Sequence, residues 1–279
     1  MTMTTLPGST GGTRGPTRAA LSWRVLHDPP RSGAWNMAID HALASNLCVD
    51  EAVLRLYDWE SPTVSFGRNE PAAGRYSLER ATELGIDLVR RPTGGRAVLH
   101  DAELTYSVVA PMRRIGGARA GYIEINRALA SALQSLGAPV TMSGSGGIAP
   151  LASGPCFQSP AQGEVVSEGR KLVGSAQARV DGALLQHGSI LLTEDQSRLA
   201  TICVGDDWPA ASAEGGNPVT LDALVSGVGS DQVAAAVTRE MESAFRGAWS
   251  VGAYRSDELE TAEHLVASRY GTEAWTWRR

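Results

Sequence analysis

Asp181-Gly182 constrains the fold of this chain more than any other dipeptide. It separates two β-prone runs, residues 170–180 and 183–192. Asp-Gly in that setting is a strong hairpin signal, because a tight two-residue turn needs backbone conformations that Asp and Gly tolerate. If Val180 pairs with Ala183 across the turn, Ala176 faces His187 and Gly174 faces Ser189. His187 then stands beside two very small residues, on the roomier face of the hairpin. A single histidine is more often a satisfied core or edge residue than a catalyst, and the open space beside it raises the functional reading modestly. Simple alternation puts Lys171 on the opposite face from His187. Three explanations stay open: Lys171 lies beyond the regular strand, a bulge flips it, or the two residues serve different surfaces.

Around the hairpin, helical and strand patterns mix. Helices are expected at residues 31–47 with Ser32 as cap, at 77–84 ended by Gly85, at 122–136 with Ile125, Leu129, Leu133 and Leu136 on one face, and at 231–245 and 257–270. Strands are expected at residues 53–57, 63–66, 86–90, 97–99 and 104–110. There is no internal repeat and no regular βαβ alternation. The order predicts an α+β fold, with helices packed on a largely antiparallel mixed sheet.

The chain has 279 residues, 43% of them hydrophobic, enough for one large core. No apolar run approaches the ~20 residues that span a bilayer. Residues 1–20 are rich in Thr, Gly and Pro, hold two arginines and no acid, and lack the apolar stretch of a secretory signal. They read as a disordered leader, and residues 21–279 as a single domain. The three cysteines are far apart and form no Cys-x-x-Cys pair, so a disulfide framework and a thiolate zinc site are not expected. A reducing, cytoplasmic setting fits that usage. The net charge of −5 argues against general nucleic-acid binding.

Four stretches carry candidate chemistry. In Arg90-Arg91-Pro92-Thr93-Gly94-Gly95-Arg96-Ala97-Val98-Leu99-His100-Asp101, two glycines let backbone N–H groups approach a ligand, and the arginines can hold an anion or a carbonyl. In Lys171-Leu172-Val173-Gly174-Ser175-Ala176-Gln177, small residues leave room above a sheet, and a lysine can offer its charge to an oxygen. Leu185-Gln186-His187-Gly188-Ser189 lies opposite. Cys156 sits in Gly154-Pro155-Cys156-Phe157, at the end of the Gly/Ser/Ala-rich residues 143–155, which read as mobile. A thiolate there could serve as a nucleophile if a cation lowers its pKa, and Lys171 is the nearest candidate in sequence. Cys48, placed on the first helix, and Cys203 read instead as small core hydrophobes.

Together these stretches, with Asn36-Met37-Ala38-Ile39-Asp40 and the segment from Leu54-Arg55-Leu56-Tyr57-Asp58-Trp59 through Pro62-Thr63-Val64-Ser65-Phe66-Gly67, resemble the biotin/lipoate A/B protein ligase family over residues 22–275. The resemblance implies a class II biotin/lipoate ligase-like catalytic domain. Two chemistries compete within that family. Lipoate–protein ligases use ATP and usually carry a third glycine where this chain has Arg96. Arg96 and the Cys156-Phe157 pair are instead similar to the octanoyltransferases that use a cysteine.

That likeness implies Cys156 and Lys171 as catalytic residues. Arg91, Thr93, Gly94, Gly95, Arg96, His100, Gly174, Ser175, Ala176, Gln177, His187 and Gly188 would bind substrate, with no metal and no cofactor. The donor would be octanoyl-acyl carrier protein and the acceptor a lysine of a lipoyl domain or glycine-cleavage H protein, with the enzyme a monomer touching neither nucleic acid nor membrane. Backbone N–H groups of Gly94-Gly95 or Gly174-Ser175 would receive the oxyanion. An octanoyl amidotransferase between H protein and lipoyl domains is a close variant, and a non-catalytic lipoyl-domain binder is the reading from another class.

Overall fold

The structure, a computed structural model, describes residues 20–144, 161–194, 196–205 and 217–279. In chain order its elements are β1 (Leu21–His27), α1 (Gly33–Ser45), β2 (Glu51–Tyr57), β3 (Thr63–Phe66), α2 (Leu78–Glu83), β4 (Asp87–Arg90), β5 (Val98–His100), β6 (Glu103–Pro111) and α3 (Ala118–Ser135). There follow β7 (Thr141–Met142), β8 (Val165–Ser167), β9 (Arg170–Lys171), β10 (Val173–Val180), β11 (Ala183–Leu191), α4 (Leu221–Leu224), α5 (Ser230–Ala244), β12 (Gly247–Val251), α6 (Ser256–Leu265) and α7 (Glu273–Thr276).

Six strands form the main sheet in the order β10-β11-β6-β2-β1-β12. The pairs from β10 to β2 are antiparallel, and β1 runs parallel to both β2 and β12. The expected α+β architecture with a mixed sheet is therefore present. Small three-stranded sheets, β4-β3-β5 and β7-β8-β9, flank it. Strand alternation sorts the side chains onto two faces. Leu54, Leu56, Tyr106, Val108 and Leu184 meet α3 and α5 through Ile125, Leu129, Leu133, Val233 and Met241. Val53, Val109 and Leu185 meet α1 and α6 through Met37, Ile39, Leu43 and Ala262.

The hairpin has the register that its turn predicts: Val180 pairs with Ala183, Ala176 with His187 and Gly174 with Ser189. Asp181 and Gly182 both have positive φ, 46° and 95°. The regular strand begins only at Val173. Leu172 donates its N–H to Val165 and accepts from Leu191, so residues 170–171 peel away to pair with β8. Lys171 therefore lies beyond the regular strand, which removes the conflict posed by alternation.

Other expectations need correction. Ser32 occupies the N-cap position of α1, but its hydroxyl makes no capping bond. Helix α3 begins four residues before the expected Tyr122, after Gly116 and Gly117 turn the chain with φ of 82° and 92°. Cys48 is exposed on the turn after α1, which ends at Ser45, so it is not a core residue; Cys203 is buried as expected. Residues 1–19 of the expected 1–20 leader, and residues 145–155 of the 143–155 stretch read as mobile, lie outside the described residues.

Gly188 tests how tightly the hairpin meets its neighbours. A Cβ there would lie 2.3 Å from the Gly174 oxygen and 2.8 Å from Tyr106 Cε1. Gly188→Ala is expected to cost about 1–3 kcal/mol, the range for forced overpacking. Urea denaturation at neutral pH measures it, and an unchanged midpoint would contradict this packing.

Candidate active site

The loop between β4 and β5 is built by arginines that bind its own backbone. Arg91 sends Nη1 to the carbonyl and hydroxyl of Ser65, at 2.7 and 3.0 Å, and Nη2 to the carbonyls of Gly94 and Arg96, at 2.9 and 2.7 Å. Its Nε also donates to Gly94. Arg90, fully buried, holds the carbonyls of Gly67, Glu70 and Thr276. Gly95 takes φ +91°, and a Cβ on Gly67 would lie 1.8 Å from the Gly95 oxygen, so the two backbones touch. A trans peptide points C=O and N–H in opposite directions. With the Gly94 carbonyl turned onto Arg91, the Gly95 N–H points away from the guanidinium.

A second clamp comes from α1. His187 Nδ1 lies 2.8 Å from Asp40 Oδ2, and its Nε2 lies 2.6 Å from Thr93 Oγ1. Asp40 is fully buried and also accepts from Arg55 Nη1 at 2.9 Å and from Tyr57 Oη at 3.1 Å. Arg55, equally buried, reaches Asp28 and Asn36 with its other nitrogens. Burial alone would raise the Asp40 carboxyl, but the hydrogen bond from His187 and the Arg55 charge outweigh it and hold the carboxyl below its ordinary value. Burial pushes the His187 imidazole below its ordinary value against the pull of Asp40. These directions agree on one state, an ionised Asp40 beside a neutral His187. The partners assign the tautomer: Nδ1–H donates to Asp40, and Nε2 accepts from the Thr93 hydroxyl.

His100 is fixed in a parallel way. Its Nδ1 lies 2.8 Å from Glu103 Oε1 and its Nε2 lies 2.7 Å from Ser65 Oγ, the hydroxyl that Arg91 also holds. Glu103 Oε1 accepts further bonds from Thr105 and Ser189. Trp59 stacks on the His100 ring at 3.9 Å and donates to Thr105.

Between these clamps lies a narrow cavity, lined by Met37, Tyr57, Trp59, Val98, His100, His187 and residues 174–176 and 188. Small residues form one wall and aromatic and aliphatic side chains the others, which suits a slender apolar group. The structure brings Arg91, His100, Gly174, Ser175, Ala176, His187 and Gly188 to this cavity. Thr93 reaches it through its bond to His187, and the buried Arg96 closes the loop with its carbonyl on Arg91. The side chains of Ser175 and Gln177 turn to the opposite face, toward Asn126 and Ala118. Lys171 does not line the cavity; it is buried, and its Nζ donates to Glu164 Oε1 at 2.7 Å. Cys156 lies outside the described residues. Neither the resemblance nor the spacing singled out Glu103 or Glu164. Asp40 stood in a quoted motif without a role, although Asn36 and Asp40, four residues apart on one helix face, were a readable hint.

The His187 geometry carries a pH dependence. A histidine held below its unfolded value of about 6.5 gives the unfolded chain the greater proton affinity. Its stabilising contribution is full above that pH and is lost as pH falls through the window below it. Wild type is expected to lose more stability between pH 7 and pH 5 than His187→Gln, as read by urea titrations at both values. Equal losses in the two proteins would contradict the buried neutral imidazole.

Comparison with known proteins places these features in a family. A model of the lipoyl protein ligase A/B catalytic domain matches residues 32–242. A protein of Kyrpidia tusciae named octanoyltransferase LipM is 38% identical over 275 residues, spanning 92% of this chain and 99% of that protein. One of the same name from Symbiobacterium thermophilum is 35% identical, with the same coverage of each chain. Among solved structures, protein Ta0514 from T. acidophilum with bound lipoic acid superimposes with a TM-score of 0.76 at 23% identity, covering 92% of this chain and 99% of that one. Lipoate-protein ligase A bound with ATP gives 0.75 at 23% identity, covering 92% and 98%. At that identity the structural likeness speaks for the fold. The chain belongs to the lipoyl protein ligase A/B catalytic domain family.

Proposed function

We infer that this chain is an octanoyltransferase of lipoate biosynthesis, moving an octanoyl group from acyl carrier protein to a lysine of a lipoyl domain or H protein. The observation that carries this reading is the near full-length match to curated proteins named octanoyltransferase LipM, at 38% and 35% identity. In the proposed reaction the Cys156 thiolate attacks the thioester carbonyl. The carbon–sulfur bond to the carrier breaks, and the carrier leaves as its thiol after taking a proton. The acceptor's neutral lysine amine then attacks the Cys156 thioester, an amide forms, and the amine proton goes to the departing Cys156 sulfur.

Lys171 supplies positive charge to the developing oxyanion and the thiolate. One contact supports its partnership with Cys156. Glu164 holds Lys171 with one oxygen and the Ala161 N–H with the other, both at 2.7 Å. Ala161 is five residues beyond Cys156 in the sequence. The octanoyl chain enters the cavity beside Trp59 and Met37, each buried methylene contributing about 0.8 kcal/mol. We take residues 21–279 as the catalytic unit, acting as a monomer in the cytoplasm. Among the described residues no helix is long and apolar enough to cross a membrane.

Incubation with octanoyl-acyl carrier protein, without acceptor or ATP, is expected to raise the intact mass by one octanoyl group. Cys156→Ala should abolish both the adduct and transfer to a lipoyl domain. Absence of the adduct, with acceptor modified only when ATP and lipoate are supplied, would establish the ligase chemistry instead.

A further inference from the structure

The rim of the Thr93–Arg96 loop carries a group of arginines that the chemistry of the site does not use. Arg68 follows Gly67, donates its backbone N–H to the Thr93 carbonyl at 2.7 Å, and is exposed. Arg278, also exposed, reaches back to the Arg68 carbonyl at 2.6 Å. Both Arg278 and Arg269 lie over the Trp275 ring, 4.2 and 4.9 Å from its centre, and Trp275 is pinned by its indole N–H to the Arg90 carbonyl at 2.8 Å. Arg68, Arg269 and Arg278 form no ion pair with an acidic side chain among the described residues, whereas Arg24, Arg55, Arg114, Arg198 and Arg255 all do. The nearby carboxylates have other hydrogen-bond partners: Glu70 holds Gly67 and Tyr76, and Asp181 holds Ser45 and faces His41, with the Arg269 charge acting on it only at longer range. Partial burial and the charges of Arg279, Arg68 and Arg269 all hold the Arg278 guanidinium below its ordinary value. In a chain of net charge −5, this is a local concentration of mutually repelling cations at the rim of the loop.

We propose that Arg68, Arg269 and Arg278, gathered around Trp275 at the rim of the loop, form the docking surface for an acidic face of the donor acyl carrier protein. The proposal rests on the octanoyltransferase reading. Guanidinium forks match carboxylates and phosphates in bidentate geometry. The donor offers such an anion, because its acyl arm is joined to the protein through a phosphodiester. Charges at an interface rim chiefly raise the association rate and make it salt-dependent. The patch is compact and the chain as a whole is acidic, which disfavours nucleic acid as the occupant.

The test uses the double variant Arg68→Glu, Arg278→Glu in the full chain, with its melting temperature as a check on folding. At low salt, kcat/KM with octanoyl-acyl carrier protein is expected to fall at least about tenfold, and wild type should show a salt dependence that the variant lacks. With octanoyl-pantetheine, which lacks both protein and phosphodiester, kcat/KM should stay unchanged. Equal loss with the two donors, no loss with the carrier, or a rise confined to the KM of the lipoyl-domain acceptor would each overturn the proposal. Direct binding of octanoyl-free carrier protein, titrated by fluorescence anisotropy, separates the two readings. Binding that depends on Arg68 and Arg278 without any octanoyl transfer sinks the function and leaves the surface standing. Transfer with unchanged binding in the variant sinks the surface alone.

Discussion

The fully buried pair of Arg55 and Asp40 is the constraint on which the site depends. Taking two charges out of water costs several kcal/mol per ion, so such a pair survives only when its remaining donors and acceptors are filled. Here they are. Arg55 divides its nitrogens among Asp40, Asn36 and Asp28, and the Asp40 oxygens take Arg55, Tyr57 and His187. The consequence reaches beyond stability. With one oxygen held by Arg55, the other has a single direction in which to accept the His187 N–H, and that fixes which imidazole nitrogen faces Thr93. A charge pair between β2 and α1 thereby sets the position of a loop between β4 and β5.

The same economy governs the loop. Backbone carbonyls that converge inward would repel one another without a cation, and Arg90 and Arg91 gather them from Ser65, Gly67, Glu70, Gly94 and Arg96. The glycines are needed because the chain must take a positive φ at Gly95 and touch Gly67. Neither the arginines nor the glycines would hold the loop alone. Gly-Gly without the fork would be a flexible turn, and the fork without Gly-Gly could not bring the carbonyls within reach.

What the sequence made legible follows the range of each interaction. The hairpin was readable to the residue, because Asp181-Gly182 sets its turn locally and a period of two does the rest. The strands β1 and β12 were not expected, because their parallel pairing joins Leu21 to Gly247 across most of the chain. Their clearest trace, the stacking of Trp23 on Trp249 at 4.4 Å, has no local pattern. Buried charge was the other blind spot. Asp40, Glu103 and Glu164 look like solvated acids in a sequence, and only the fold shows each beside a histidine or lysine. Gln177 errs in the opposite sense: it is polar and belongs to a site motif, yet strand alternation sends it to the α3 face.

The position of Arg91 also decides how the Gly-Gly loop should be understood. Read alone, two arginines before Thr-Gly-Gly suggest an anion cradle. An arginine serves a phosphate only with donors to spare, and the Arg91 fork is spent on Ser65, Gly94 and Arg96 in a buried setting. Withdrawing it would strip the loop of the cation that gathers its carbonyls. Its charge therefore acts on the backbone it arranges, by turning carbonyls inward and the following N–H groups away. A neutral carbonyl that gains negative charge only as a bond forms is well matched to such peptide dipoles, which are fixed in advance and need no reorganisation at the moment of reaction. Full cationic charge is kept for the outer rim, where Arg68 and Arg278 stay exposed, and an acidic partner can meet it there without the cost of burying either ion.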